Sequence, residues 1–302
     1  MDLIDSGDYE SAYALLEEIG KNDVIATNKY DRAIDLIDSG DYESAYALLE
    51  EIGDNETIVS NKYDRAVKCI ESGEYQAAYI LLDGLEYKDS AEKLQSIKPL
   101  LLAKANPGDT VFFGAYEQDN NTSNGKEDVA WLVLAKENNK IFVISEKGLD
   151  CQPYNIEQYA NVTWETCTLR KWLNTDFINS AFSSDEKTKI PTVTVSADKK
   201  HGHSANPGNA TQDQVFLLSI TEANKYFNST GARQCEPTDY AVANGAWESD
   251  SGNFCWWWLR SPGDVPGSAA RVSGGGIVSS AGYDVNYNNG AVRPAMWISI
   301  SG

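Results

Sequence analysis

Cys255-Trp256-Trp257-Trp258-Leu259-Arg260-Ser261-Pro262-Gly263 opens the stretch that decides how this chain is read, and Val292-Arg293-Pro294-Ala295-Met296-Trp297-Ile298 closes it. Asp264 to Asn289 lie between, built almost wholly from Gly, Ser, Asn, Ala, Asp and Tyr. Their sparse frame is Ala270, Val272, Gly276, Val278, Gly282 and Val285, then Gly290. Pairs two apart, Ala270/Val272 and Gly276/Val278, predict short strands with one inward face. The glycines suit turns that need φ > 0, and Asn289-Gly290 predicts a hairpin turn. Apolar ends around a small-residue middle describe a scaffold that presents loops. That is a binding surface more than an active site.

Working outward, 302 residues leave room for two domains and a substantial core, and a hydrophobic content of 42% is that of an ordinary globular chain. No apolar run approaches the roughly 18 residues of a membrane span. Met1-Asp2-Leu3-Ile4-Asp5 lacks the charged-then-apolar pattern of a signal peptide, so the expected location is cytoplasmic. Cys69, Cys151, Cys167, Cys235 and Cys255 form no C-x-x-C spacing, and His201 and His203 are the only histidines. No metal site or cofactor is therefore expected. Reduced thiols are the plain reading, with a Cys235–Cys255 bridge as the alternative in an exported chain. Of the net charge of −20, most lies in residues 1–98, which carry 23 acidic against 9 basic side chains. Nucleic acid is a poor partner for such a surface, because phosphate neutralisation needs basic patches.

The first third is a tandem repeat. Asp2–Gly20 recurs letter for letter at Asp35–Gly53, and Asn28–Ala33 (NKYDRA) recurs at Asn61–Ala66, a period of 33. A diverged copy follows from Val67. Each unit predicts two short helices. The first starts near an Asn28 or Asn61 N-cap and ends at Ser39-Gly40 or Ser72-Gly73; the second runs from Asp41 or Glu74 to Gly53 or Gly84. In the second, Tyr42, Ala45, Tyr46, Leu49 and Ile52 make one apolar stripe. Paired helices at this period resemble tetratricopeptide repeats over residues 1–98, which offer a face for a protein partner.

Ser90–Leu102 predicts a last helix that caps the array, kinked at Pro99; residues 99–108 read as the linker between domains, and from Asp109 the texture is β. Val111–Gly114, Ala130–Leu134 and Ile141–Ser145 predict a meander separated by Asn/Asp/Gly loops. Trp164–Asn174 predicts an amphipathic helix, and Thr175–Phe182 a second, followed by Ser184 and Asp185 as caps of a short turn. Ile190–Val195 and Val215–Ile220 read as strands and Thr221–Phe227 as a helix. His201–Gln214 reads as an exposed loop, and Asn228–Asn253 as a surface wrap without periodicity. The fold class expected is α+β: helical hairpin repeats, then a β-rich domain.

Six motifs in order carry a family resemblance: Phe113-Gly114, Trp131-x-Val-Leu134, Leu169-Arg170-x-Trp-Leu-Asn174, Phe216-Leu-Leu-Ser219, Trp257–Gly263 and Val292–Trp297. The order resembles a bacterial family of uncharacterised domains with a C-type-lectin-like fold, akin to formylglycine-generating enzymes and to the variable proteins of diversity-generating retroelements. The resemblance covers roughly residues 107–302 and implies that residues 264–289 form a variable region. In such proteins, mutation of template adenines rewrites Asn codons. Lys, Glu, Gln, Met and Trp cannot arise that way, and none occurs between Asp264 and Asn289.

The expected function is receptor-like binding of a protein or other macromolecule, without catalysis. The candidate ligand-binding residues are Asp264, Val265, Pro266, Ser268, Arg271, Ser273, Ile277, Ser279, Ser280, Tyr283, Asp284, Asn286, Tyr287 and Asn288. Tyr283, Tyr287, Arg271, Asp264 and Asp284 are the expected contact residues, since Tyr and Arg give large contact area at modest entropy cost. The resemblance also raises calcium-dependent sugar binding, but Glu236-Pro237-Thr238 lacks the amide oxygen that such a site uses. Arg260 and Arg293 are expected to bind loop carbonyls or a carboxylate beneath the surface. Alternatives are a fixed-specificity adaptor acting through the repeats, and an oxidase related to the formylglycine generators.

Overall fold

The computed structural model describes residues 2–158, 161–199, 205–249 and 252–300. The chain divides into two compact units, Met1–Ile97 and Lys98–Gly302.

Helices α1 (Asp2–Asp5), α2 (Tyr9–Glu18), α3 (Asn22–Ser39), α4 (Tyr42–Glu51), α5 (Asn55–Ser72) and α6 (Tyr75–Leu82) make up the first unit's repeats, followed by α7 (Ser90–Lys104). Ala33, Ala45, Leu49 and Ile58 form a buried core between helices of successive hairpins. The long helices begin six residues earlier than the sequence suggests. Asp54, not Asn61, caps α5, its carboxylate accepting from the Thr57 amide at 3.1 Å.

Asn61 instead sits inside α5, where its side-chain oxygen accepts from the Tyr46 hydroxyl at 2.6 Å. Arg65 donates to that hydroxyl at 3.0 Å and lies 3.4 Å from the centre of the Tyr42 ring. Tyr13, Asn28, Arg32 and Tyr9 repeat the arrangement at 2.7, 3.0 and 3.5 Å. The two repeated motifs are therefore halves of one joint, in which each hydroxyl both donates and accepts. The expected capping helix forms as α7 and runs through Pro99 to Lys104, two residues past Leu102 and into the span read as linker. No helix among the described residues is long and apolar enough to cross a membrane.

In the second unit the strands are β1 (Thr110–Tyr116), β2 (Glu127–Glu137), β3 (Lys140–Ser145), β4 (Asp150–Cys151), β5 (Val193–Val195) and β6 (Thr211–Asp213). They continue with β7 (Val215–Phe216), β8 (Trp257–Pro262), β9 (Ser268–Val272), β10 (Val278–Asp284), β11 (Ala291–Val292) and β12 (Ala295–Ser299). One sheet has the order β1-β2-β3-β12-β7 and is antiparallel throughout. A second has the order β10-β9-β8-β11-β4, with β11 parallel to β8, and β5 pairs with β6 alone. The fold is α+β, with helices followed by a β-rich unit.

Between the strands lie α8 (Thr168–Trp172), a π-helical turn (Leu173–Phe177), α9 (Ile178–Ala181), α10 (Ser184–Thr188), α11 (Ile220–Tyr226), α12 (Thr230–Arg233) and α13 (Asp239–Ala243). The two helices expected over 164–182 are thus one run joined by the π turn, starting only after Cys167, whose sulfur caps it. Ser183, rather than Ser184 or Asp185, caps α10 in a reciprocal box with Glu186. Residues 211–213, expected in a loop, form β6, because buried Asp213 takes the Trp164 indole N–H at 3.0 Å and Arg170 Nε at 2.6 Å. The Asn228–Asn253 segment is more than a wrap: it carries α12, α13 and the buried side chains of Cys235, Thr238 and Ala241.

Trp131, Trp257 and Trp258 are among the largest fully buried side chains of one continuous core. Arg260 is buried against Glu222 in a two-pronged pair, Nη2 to Oε1 at 3.0 Å and Nη1 to Oε2, with Nη1 also donating to the Leu217 carbonyl at 2.9 Å. Arg293 is buried too and donates from Nε to the Ser145 carbonyl at 2.8 Å. The arginines of the opening and closing motifs thus hydrogen-bond inside the fold, as expected, to carbonyls and a carboxylate.

Candidate functional site

The β9–β10 hairpin builds the site. Arg271 pairs with Ser279, while Tyr283 pairs with Ala269, so β10 carries two extra residues between them. Gly282 makes this irregularity feasible: its φ is +67°, and a Cβ there would stand 2.0 Å from the Ala269 carbonyl oxygen. The bulge brings Tyr283 against Arg271. At the hairpin's turn, Arg233 of α12 donates to the Gly276 carbonyl at 2.8 Å, and Ser273 Oγ accepts from the Ile277 amide at 3.1 Å. Past β10, the Trp247 amide holds the Asn289 carbonyl at 2.9 Å, and the Ala291 amide holds that of Trp256 at 2.9 Å.

Beside these ties lies an open cavity of about 550 Å³ lined by Gln234, Trp247, Ser249, Phe254, Trp256, Arg271, Ser273, Gly274, Gly275, Tyr283, Tyr287 and Asn289. Five of those residues are aromatic. Tyr283 stacks on Tyr287 with ring centres 5.0 Å apart and meets Trp256 edge-on at 5.0 Å. The Arg271 guanidinium lies 3.8 Å from the Tyr283 ring centre and 5.6 Å from that of Trp256. Burial pulls its pKa below the ordinary value, against the opposing effect of Tyr283.

Among the described residues, no carboxylate lines the cavity. Arg271 Nε and Asn289 Oδ1 are both buried without a hydrogen-bond partner, one a donor and the other an acceptor. Buried polar atoms are ordinarily satisfied, so this donor and this acceptor each retain bonding capacity that the described residues do not use. Arginine on an aromatic face keeps its planar hydrogen-bonding edge, which matches a carboxylate.

The structure gathers Arg271, Ser273, Tyr283 and Tyr287 from the sequence candidates at this cavity. Asp264, Val265, Pro266, Ile277, Asp284, Asn286 and Asn288 are exposed on the same hairpin and its flanks, and Ser279 and Ser280 are half-buried. Val265 and Pro266 line a separate, smaller cavity with Asn161 and Asn206, so the candidates occupy two places rather than one. Ser268 lines that second cavity too, but it is only 5% exposed, and its hydroxyl closes a turn on the Val265 carbonyl at 2.7 Å. Asn289-Gly290 forms no hairpin turn. A Cβ at Gly290 would lie 2.4 Å from the Trp256 ring, so glycine is required there by close packing.

A family model described as a domain of unknown function, DUF6273, matches residues 138–300. The chain belongs to that family. The matched span runs from the turn before β3 to β12 and includes the whole cavity lining, whereas the repeats, β1 and β2 lie outside it. Neither the curated proteins nor the solved structures give a match to the chain.

Gln234, Trp247 and Phe254 were not legible as site residues. The signal available was an exposed tryptophan, Trp247, in a segment of otherwise small and polar residues. The described cysteines are free. The Cys255 thiol donates to the Cys235 carbonyl at 3.2 Å, and hydrogen bonding with the Cys235 side chain, together with burial, pushes its pKa well above the ordinary value. Burial likewise pushes Cys151 and Cys167 up to about 12, so none of these three is an activated nucleophile. His201 and His203 lie outside the described residues.

Proposed function

We propose that the second unit is a non-catalytic ligand-binding module whose recognition surface is the β9–β10 hairpin and the loop after it. The observation that carries this reading is the aromatic cavity with Arg271 at its wall, its Nε buried and without a hydrogen-bond partner. Its occupant is a group on a larger partner that offers a carboxylate to Arg271 and a flat or apolar body to Tyr283, Tyr287 and Trp247. Tyr and Trp are side chains that dominate such contacts, because they bring large area with few rotatable bonds.

We further propose that this surface is of the diversified kind, carried on a C-type-lectin-like scaffold as in retroelement variable proteins. Support comes from how the side chains divide. Frame residues Ala270, Val272 and Val285 are fully buried, while Asp264, Val265, Pro266, Ile277, Tyr283, Asp284, Asn286, Tyr287 and Asn288 point to solvent. Exchange at the exposed positions leaves the core packing untouched.

The binding test pans a random peptide library, displayed on phage, against the full chain. Peptides bearing Asp, Glu or a free C-terminal carboxylate beside an aromatic residue are expected to be enriched. The Tyr283→Ala/Tyr287→Ala double variant is expected to bind them at least about tenfold more weakly. Equal enrichment on that variant would overturn the reading. Diversification is tested by sequencing the gene's flanks. A near-copy with AAY codons at the candidate positions is expected, and its absence leaves a binding module of fixed specificity.

A further inference from the structure

We propose that the turn between β1 and β2 binds a calcium ion through Glu117, Asp119 and Glu127. Tyr116, the last residue of β1, pairs directly with Glu127, the first of β2. Glu117 follows Tyr116 directly as the chain leaves β1, and the turn brings Asp119 close to both glutamates. One carboxylate oxygen from each of the three lies within 4.8 Å of the others. Proximity of acidic groups alone would mean little on a chain this acidic. Glu117 is what separates this trio from a solvated patch.

Glu117 is only 8% exposed, and its Oε1 is buried without a hydrogen-bond partner. A buried carboxylate oxygen facing two more carboxylates is costly unless a cation meets it or it takes up a proton, and a cation competes for the same place. Burial raises the Glu117 pKa, and the Glu127 charge adds to the rise. No basic side chain neutralises the group among the described residues. Lys126, the nearest in sequence, donates instead to the Ser180 carbonyl at 2.6 Å and its hydroxyl at 3.0 Å.

The other two ligands are already held in place. Glu127 Oε2 accepts from the Gln118 amide at 2.7 Å. Asp119 accepts from the Asn121 amide at 2.8 Å and from the Asn124 side chain at 2.7 Å. Each carboxylate has about four lone-pair sites, so these bonds orient the groups and leave acceptor capacity over. An all-oxygen set excludes the thiolate and imidazole preferences of zinc and copper and suits a hard cation. Three carboxylates on a turn, able to bind in one- or two-oxygen fashion, fit the large and adaptable shell of calcium better than the strict octahedron of magnesium. The bound ion would tie β1 to β2 at the end where the turn joins them, and this turn lies outside the span matched to the family.

The test is thermal unfolding of the full chain in chelator, in calcium and in magnesium, alongside calorimetric titration with calcium chloride. Calcium is expected to raise Tm and to bind with Kd on the order of 10⁻⁴ M, with magnesium giving a smaller shift. Glu117→Gln separates a ligand from a merely crowded acid. In chelator it should melt above the wild type, because the buried charge is gone, yet calcium should no longer raise its Tm. Glu127→Gln, at a half-exposed position, should weaken calcium binding at least about tenfold without disturbing the fold. No heat and no Tm shift at about 10 mM calcium, an equal response to magnesium, or wild-type calcium affinity in both variants would each overturn the assignment.

Discussion

The Arg271 guanidinium lies 3.8 Å from the centre of the Tyr283 ring, although the two residues are not cross-strand partners in the β9–β10 ladder. The Gly282 bulge makes them neighbours. A cation laid on a ring and half-buried there has lost part of its hydration before any ligand arrives. On the proposed binding role, an incoming carboxylate would meet a group already positioned, which lowers the entropy cost of binding.

Arg271→Ala should separate stability from binding. The cation–π contact at this partly open position is worth about 0.5–1 kcal/mol, so urea unfolding should shift only by that much. Binding of acidic peptides selected on the wild type should fall at least about tenfold. Arg271→Lys keeps the charge but loses the planar fork, and should bind weakly with near-native stability. Peptide affinity unchanged in Arg271→Ala would remove Arg271 from the site.

Gly282→Ala places a side chain where φ is +67° and the Ala269 carbonyl is 2.0 Å from the new carbon. The backbone must shift, at a cost of about 1–3 kcal/mol, and Tyr283 must leave Arg271. Reduced Tm together with lost peptide binding is the expected outcome. Full binding at reduced Tm would show that the bulge does not aim Tyr283.

The legible parts of this chain are those where one physical demand dominates. β1, β2 and β3 follow apolar runs bounded by turn residues, and the repeats declare themselves by identity. The site's exposed positions followed from the frame of Ala270, Val272 and Val285. Asn28 and Asn61 were misread because asparagine serves equally as a helix cap and as an acceptor for a distant tyrosine. Gly290 was misread because tight packing and a turn call for the same residue. Trp247 and Gln234 come from a segment whose helices are four and five residues long, too short to show a helical period. The carboxylate trio joins residues from two strand ends, and only the register of β1 on β2 reveals it.

Asp150 gives the second unit a pH dependence with a definite sign. Its side chain accepts from Tyr116 at 2.5 Å, from the Cys151 amide at 2.6 Å and from Gln152 at 3.2 Å. Burial outweighs those bonds and raises its pKa, while burial also raises that of Tyr116 and keeps its hydroxyl a donor. The folded state thus holds the Asp150 proton more tightly than the unfolded state. Its contribution is fully present below the unfolded carboxyl pKa of about 3.9 and is lost as pH rises through the raised folded value. Asp150→Asn keeps the size and one carbonyl acceptor. Urea unfolding from pH 3 to 7 should show the variant gaining on the wild type as pH rises. A constant difference across that range would contradict the assignment.

Tyr46→Phe tests the joint of the helical repeats. The lost hydroxyl bridges Asn61 at 2.6 Å and Arg65 at 3.0 Å, so the change should destabilise the helical unit by about 0.5–1.5 kcal/mol. Asn61→Ala removes the same bond from its other end. The two changes together should therefore cost clearly less than their sum, because they share one interaction. Tyr13→Phe removes the corresponding hydroxyl of the preceding copy and should cost a similar amount. Helical circular dichroism followed through urea unfolding measures all four chains. If the losses at Tyr46 and Asn61 simply add, the hydroxyl and the amide act independently, and the repeated motifs are not two halves of one contact.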